Sequence, residues 1–229
     1  MFARAAERAG RAVAPITRTG GDPAPDGPIV VAVGEDDLEG AIALLDATLG
    51  PRLCFVQNGL VHEAVAHFGV VGRGLLHFNA DATGNVRVLE PSVFGGPTGA
   101  DLATLLDAAG IPSRHEPDPA RFKVEEIRKL LWSTVPSLLA ACRGVVVSGL
   151  DPAEVEALTR ECVAVAAATL DVSCDLGEML ASVHRMQAAL PDYQGSVRGQ
   201  RYRNALLVKL GRRLGIPTPL NDALLAALA

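Results

Sequence analysis

The apolar positions change their period about half-way along the chain. In the first half, short β-branched runs alternate with helical spacings. Phe2, Ala5, Ala6, Ala9 and Val13 recur at helical intervals and predict a helix over 2–12. Ala12 to Thr17 reads as a short strand, and Gly20 to Pro28, crowded with Gly, Pro and Asp, as loop. Ile29 to Val33 is wholly apolar, the pattern of a parallel strand covered on both faces. A helix follows over Asp36–Thr48, with Leu38, Ala41, Ile42 and Leu45 on one side. Leu53–Val56 is the next strand and His62–Phe68 a short helix. This alternation predicts a parallel sheet with crossover helices. Gly72–Ala80 and Asn85–Leu89, flanking Asp81-Ala82-Thr83-Gly84, read as a hairpin. Asp101–Ala109 is a helix stopped by Gly110-Ile111-Pro112.

After Pro119 the pattern is helical throughout. Val124, Ile127, Leu130, Leu131, Val135, Leu138, Leu139 and Cys142 form one long apolar stripe, which Pro136 is expected to kink. Asp151-Pro152-Ala153-Glu154 combines an N-cap, a first-turn proline and a Glu at the capping-box position, and opens a helix running to about Leu170. Further helices cover Leu176–Leu190, Tyr202–Leu214, closed by Gly215 and Pro217, and Asn221–Leu228. Pro117-Asp118-Pro119 is a stiff connector between an α/β domain over 1–118 and a helical domain over 119–229. Two lobes joined in this way make a cleft, a common place for ligands.

Composition narrows the function. The 229 residues are 49% hydrophobic, enough for a sizeable core, and only 4% aromatic, which suits helices on a sheet better than a β-sandwich. The net charge of −5 and the lack of a dense basic run exclude a nucleic-acid partner; the richest basic stretch is Arg198 to Arg213. No apolar segment has the length of a membrane span. The four cysteines make no Cys-x-x-Cys pair, and three lie in apolar runs, so the chain reads as cytoplasmic. His62 and His67, five apart, do not share a helix face, and no metal is assigned. Ser148 and Ser196 lack a His/Asp arrangement, which argues against a hydrolase.

Two places offer chemistry. Gln57-Asn58-Gly59 ends the strand Leu53–Val56. It sets two carboxamides and a turn at the carboxyl rim of the sheet, where open α/β sheets bind ligands. The plain alternative is a simple Asn-Gly turn. Lys129 lies among Ile127, Leu130 and Leu131 at the border of the apolar stripe. An ammonium that loses hydration there becomes a better proton donor near neutral pH. The plain alternative is a lysine whose stem covers apolar surface with its head in water.

The order of these signals resembles the ketopantoate reductase (2-dehydropantoate 2-reductase) family. The resemblance rests on Gln57-Asn58-Gly59, the hairpin, Lys129-Leu130-Leu131 and Gly215-Ile216-Pro217-Thr218-Pro219-Leu220-Asn221, and it covers nearly the whole chain. It implies a truncated Rossmann-like parallel sheet lobe followed by an all-helical lobe of the kind found at the C-terminus of 6-phosphogluconate dehydrogenase. It also implies an NADP(H)-dependent oxidoreductase acting on a small 2-keto acid. Lys129 then matches the catalytic acid and Asn58 the strand-end Asn beside substrate and nicotinamide. Asn204 and Ser133 match substrate-binding positions. Arg18 matches the place of an arginine for the 2′-phosphate, and Gln57 and Gly59 flank the cofactor at the strand end.

The departures are specific. The strand and Gly-x-Gly-x-x-Gly turn that hold the pyrophosphate have no counterpart in this sequence; residues 1–10 read like the helix that follows such a turn. Gly34 replaces a lysine, Ser133 an asparagine, and Gly199 the acid that binds the substrate hydroxyl. The chain therefore reads either as part of a longer gene product or as a reduced relative whose substrate differs from ketopantoate. A sheet without that strand exposes an edge that needs covering, so a homodimer is expected. The alternative function is a repurposed relative that binds or transforms a small molecule without redox chemistry, also as a dimer.

Overall fold

Ile29, Val30 and Val31 carry β-branched side chains, which favour extended backbone. They form the first strand of a sheet in a computed structural model that describes residues 2–14, 26–80, 86–195 and 197–228. The chain divides into two compact units. One contains the described residues up to Gln57 and from His62 to Phe122; the other contains Asn58–Val61 and the described residues from Lys123 onward.

The first unit holds the strands β1 (Ile29–Val31), β2 (Leu53–Phe55), β3 (Gly72–Leu75), β4 (Phe78–Ala80), β5 (Val86–Val88), β6 (Ser92–Gly95) and β7 (Ser113–His115). Five of them form one sheet in the order β1-β2-β3-β6-β7. β1, β2 and β3 are parallel, β6 runs antiparallel to β3, and β7 is parallel to β6. The helices are α1 (Phe2–Arg8), α2 (Leu38–Ile42), α3 (His62–Val65) and α4 (Gly99–Ala108). Cys54, Phe94, Leu102 and Leu106 are fully buried between sheet and helix, and Ala5 and Ala6 of α1 join that core.

Several elements differ from the pattern read in the sequence. Residues 11–14 are irregular, and the remainder of the strand expected over Ala12–Thr17 lies outside the described residues. The helix expected over Asp36–Thr48 is only the five residues of α2 between two 3-10 turns. Asp46 accepts from both the backbone N and the Oγ1 of Thr48, and that local cap starts a new turn instead of prolonging the old one. The expected hairpin is real only at its tip, where β4 pairs β5. Its first arm is shared: Gly72–Leu75 pairs in the main sheet, parallel to β2.

The second unit contains α5 (Pro119–Arg143) from Lys123 onward, α6 (Pro152–Leu170), α7 (Leu176–Ala189), α8 (Asn204–Leu214) and α9 (Pro219–Ala226). The long apolar stripe of α5 lies in its core: Ile127, Leu130, Leu131, Val135, Leu138 and Leu139 are essentially without solvent exposure. Pro136 sits inside α5 without ending it; its missing N–H leaves one carbonyl of the preceding turn outside the helical ladder. Asp151 caps α6 through the Ala153 N–H at 2.9 Å, as the sequence predicts. The reciprocal half of the capping box gives way to an ion pair, because the Glu154 side chain turns to Arg143. Gly215, with φ +69°, closes α8.

Candidate functional site

The strand β2 hands the chain from one unit to the other. Gln57 remains with the sheet, buried, and its Nε2 donates to Val31 O at 2.8 Å and to Val33 O at 3.1 Å. The amide thus stitches the carboxyl end of β2 to that of β1. Arg73 of β3, 5% exposed, donates to Phe55 O at 3.1 Å and Gln57 O at 3.3 Å from the other side. A buried guanidinium spanning two strand carbonyls is a polar clamp on the sheet rim. The neighbouring Cys54 thiol is pushed up to about 12, by burial above all; Thr98 and the Arg73 charge pull in the opposite direction.

Asn58–Val61 packs with the helical unit. Gly59 has φ +91°, and a Cβ there would lie 2.1 Å from the Tyr202 carbonyl oxygen. Only glycine permits this approach. Leu60 N–H donates to the same oxygen at 2.9 Å, and the Leu60 side chain enters the helical core. Tyr202 closes a 3-10 turn (Gln200–Tyr202) that leads into α8.

Two residues later, Asn204 is fully buried. Its Nδ2 donates to Asn221 Oδ1 of α9 at 3.1 Å and reaches Thr134 O of α5 at 3.5 Å. The turn before α8 is thereby tied to α5 and α9 together. Asn221 closes the run that begins at Gly215, yet its partnership with Asn204 across 17 residues has no local signal.

Lys129 and Ser133 are four apart on α5, so they share a helix face, and both are half-buried. The Lys129 ammonium stands 5.5 Å from the centre of the Trp132 ring, a cation–π distance. The ring is itself held, with Nε1 donating to Ser182 Oγ at 2.9 Å. Ser133 Oγ donates to Leu130 O at 3.0 Å. Glu126, 4% exposed, lies one turn before Lys129 and carries no motif signal in the sequence.

Of the residues singled out in the sequence, Asn58, Gly59, Lys129, Ser133 and Asn204 are therefore members of the helical unit, and Gln57 of the sheet unit. Arg18 lies outside the described residues. Among the described residues, no group of three His, Cys, Asp or Glu is placed to hold a metal, and no helix is long and apolar enough to cross a membrane.

A dinucleotide needs a cradle of backbone N–H groups for its pyrophosphate. The glycine-rich turn between β6 and α4 is filled by its own sheet: a Cβ on Gly96 would meet Val71 O at 2.5 Å. Gln57 spends its donors on β1, and Gly59 is closed off by Tyr202.

No protein-family model matches the sequence, and no curated protein matches it either. Solved structures do. A PanE/ApbA family ketopantoate reductase from Ralstonia eutropha shares 21% identity with a TM-score of 0.68, over 88% of this chain and 74% of that one. A D-mandelate dehydrogenase, solved with NADH and anilino(oxo)acetate, shares 17% with a TM-score of 0.65, over 88% and 75%. A dimeric ketopantoate reductase from Staphylococcus aureus shares 16% with a TM-score of 0.64, over 85% and 73%. The fold is that of the ketopantoate reductases. The resemblance seen in the sequence holds at that level: a mixed α/β unit with a mainly parallel five-stranded sheet, and many helices.

Proposed function

We propose that this chain is an oxidoreductase of the ketopantoate reductase kind, reducing the carbonyl of a small 2-keto acid with NADP(H), as a cytoplasmic homodimer. The observation that supports it is the assembly of Asn58, Lys129, Ser133 and Asn204 within one packed unit, from segments up to 146 residues apart in sequence. The fold shared with ketopantoate reductases and with a dehydrogenase solved with NADH adds weight.

In this reading Lys129 gives its proton to the ketone oxygen as the carbonyl becomes a hydroxyl, and the neutral amine regains a proton from water. Asn58 and Ser133, both partly accessible, orient the substrate. Asn204, fully buried, holds the turn beside them. A reduced nicotinamide, when bound, supplies hydride. A second reading, a repurposed binding protein without redox chemistry, is favoured by the engagement of the Gln57 amide donors on Val31 O and Val33 O.

One titration separates them. NADPH and NADP⁺ are added up to millimolar levels while nicotinamide fluorescence is followed, with the Lys129→Ala protein in parallel. The reductase reading expects both proteins to bind and the variant to lose about 10²- to 10⁴-fold in 2-keto acid reduction. No fluorescence change with the unaltered protein rejects the reductase and leaves the binding reading. Light scattering that shows a monomer at micromolar concentration rejects the homodimer.

A further inference from the structure

We propose that Trp132 and Ser182 are positioning residues for the Lys129 ammonium, the ring holding the charge in place and the hydroxyl holding the ring; this rests on the reading above in which Lys129 is the proton donor. Lys129 and Trp132 are three apart on α5, so they stand on one face of the helix. The ammonium lies 5.5 Å from the ring centroid, inside the distance of about 6 Å over which a ring attracts a cation. Among aromatic side chains, tryptophan is the best partner for a cation. Trp132 is 4% exposed and Lys129 half-buried, so a ring fixed in the interior backs a lysine that still reaches solvent.

The ring cannot turn over without loss. The polar atom of the indole, Nε1, donates to Ser182 Oγ of α7 at 2.9 Å, across 50 residues of chain. Ser182 is fully buried, so this bond is kept from water. Reversing the indole would leave a buried N–H unmatched, a costly arrangement. One hydroxyl on α7 therefore sets the orientation of a ring on α5, and the ring sets where the charge rests.

Proton transfer needs such a device. Lysine carries a flexible four-carbon stem, whereas a proton donor must stand about 3 Å from the atom it protonates. A misplacement of about 1 Å costs about a hundredfold in rate. A carboxylate grips an ammonium through directed N–H bonds, while a ring face attracts the charge however the N–H groups rotate. The Lys129 ammonium can thus turn an N–H toward a ketone oxygen without leaving the ring.

The test follows NADPH-dependent turnover of 2-oxoisovalerate in the unaltered protein, Trp132→Leu, Trp132→Phe, Ser182→Ala and Ser182→Thr. Trp132→Leu is expected to lower kcat about ten- to a hundredfold with KM within about threefold. Trp132→Phe, which keeps a ring face, should recover most of the loss. Ser182→Ala should lower kcat about three- to tenfold, and Ser182→Thr, which keeps the hydroxyl, should restore it. Trp132 is the sole tryptophan, so its emission reports the contact without turnover. Lys129→Met, which removes the charge beside the ring, should shift that emission. Equal losses in the leucine and phenylalanine variants, KM rising in step with the fall in kcat, or emission indifferent to Lys129→Met overturns the positioning and leaves the reductase standing. No turnover in the unaltered protein removes the proton transfer itself, and the proposal with it. If the leucine variant does not fold, the alanine and threonine pair at Ser182 decides by the same criteria.

Discussion

Replacing Gly59 by alanine is expected to cost the helical unit about 3–5 kcal/mol, a sum of three effects. The first is backbone: at φ +91° an L-residue is strained by about 1–2 kcal/mol. The second is steric. The new Cβ would lie 2.1 Å from Tyr202 O, whereas ordinary contact begins at 3.4 Å, so the two segments must separate by about 1.3 Å, the difference between those values. That movement carries Leu60 N, now 2.9 Å from the same oxygen, beyond hydrogen-bond range, and a buried donor left unmatched costs about 1–3 kcal/mol. The third is the partial withdrawal of Leu60, 5% exposed, from a core where full burial of such a side chain is worth about 1.5–3 kcal/mol. Trp132 is the sole tryptophan and is buried in this unit, so urea unfolding followed by its fluorescence reports on the unit directly. Gly144→Ala is the control. Its φ is +64° with nothing near the added methyl, so it should show only the strain, about 1–2 kcal/mol. If the two variants lose stability equally, to within about 1 kcal/mol, the seating of Asn58–Val61 on Tyr202 is wrong.

The buried thiols predict an alkaline loss of stability. Burial raises both Cys54 and Cys162 from 9.0 to about 12. Below pH 9 each is protonated whether folded or unfolded; between pH 9 and 12 only the unfolded chain gives up the proton, so unfolding gains about 1.4 kcal/mol per pH unit for each thiol. Urea midpoints that do not fall in that window, or fall as steeply in the Cys54→Ala, Cys162→Ala double variant, reject this account. Arg73→Leu removes the clamp on Phe55 O and Gln57 O and should destabilise the sheet unit by about 2–4 kcal/mol in scanning calorimetry; a change under about 1 kcal/mol means the two carbonyls find other donors.

Much of the chain was readable one segment at a time. The stripe from Val124 to Cys142, the cap at Asp151, the stop at Gly215 and the runs at Ile29 and Leu53 all formed the elements their spacing predicts. Each depends on residues within a few positions, where local sterics and hydrogen bonding decide. The failures have the opposite character. The Asp36–Thr48 pattern was helical in its apolar spacing, but one carboxylate at Asp46 outcompeted it. The first arm of the hairpin was extended as expected, yet which strand it pairs with depends on a partner some twenty residues away.

The candidate site divides along the same line. Residue types and order in the chain were enough to mark Asn58, Lys129, Ser133 and Asn204 as candidates. Only the folded chain decided that Asn58 leaves its strand to join the helices, that Gln57 spends its amide on β1, and that Asn204 finds Asn221. Those outcomes turn on which distant backbone atoms arrive within about 3 Å of one another, and no spacing along a single chain encodes that distance.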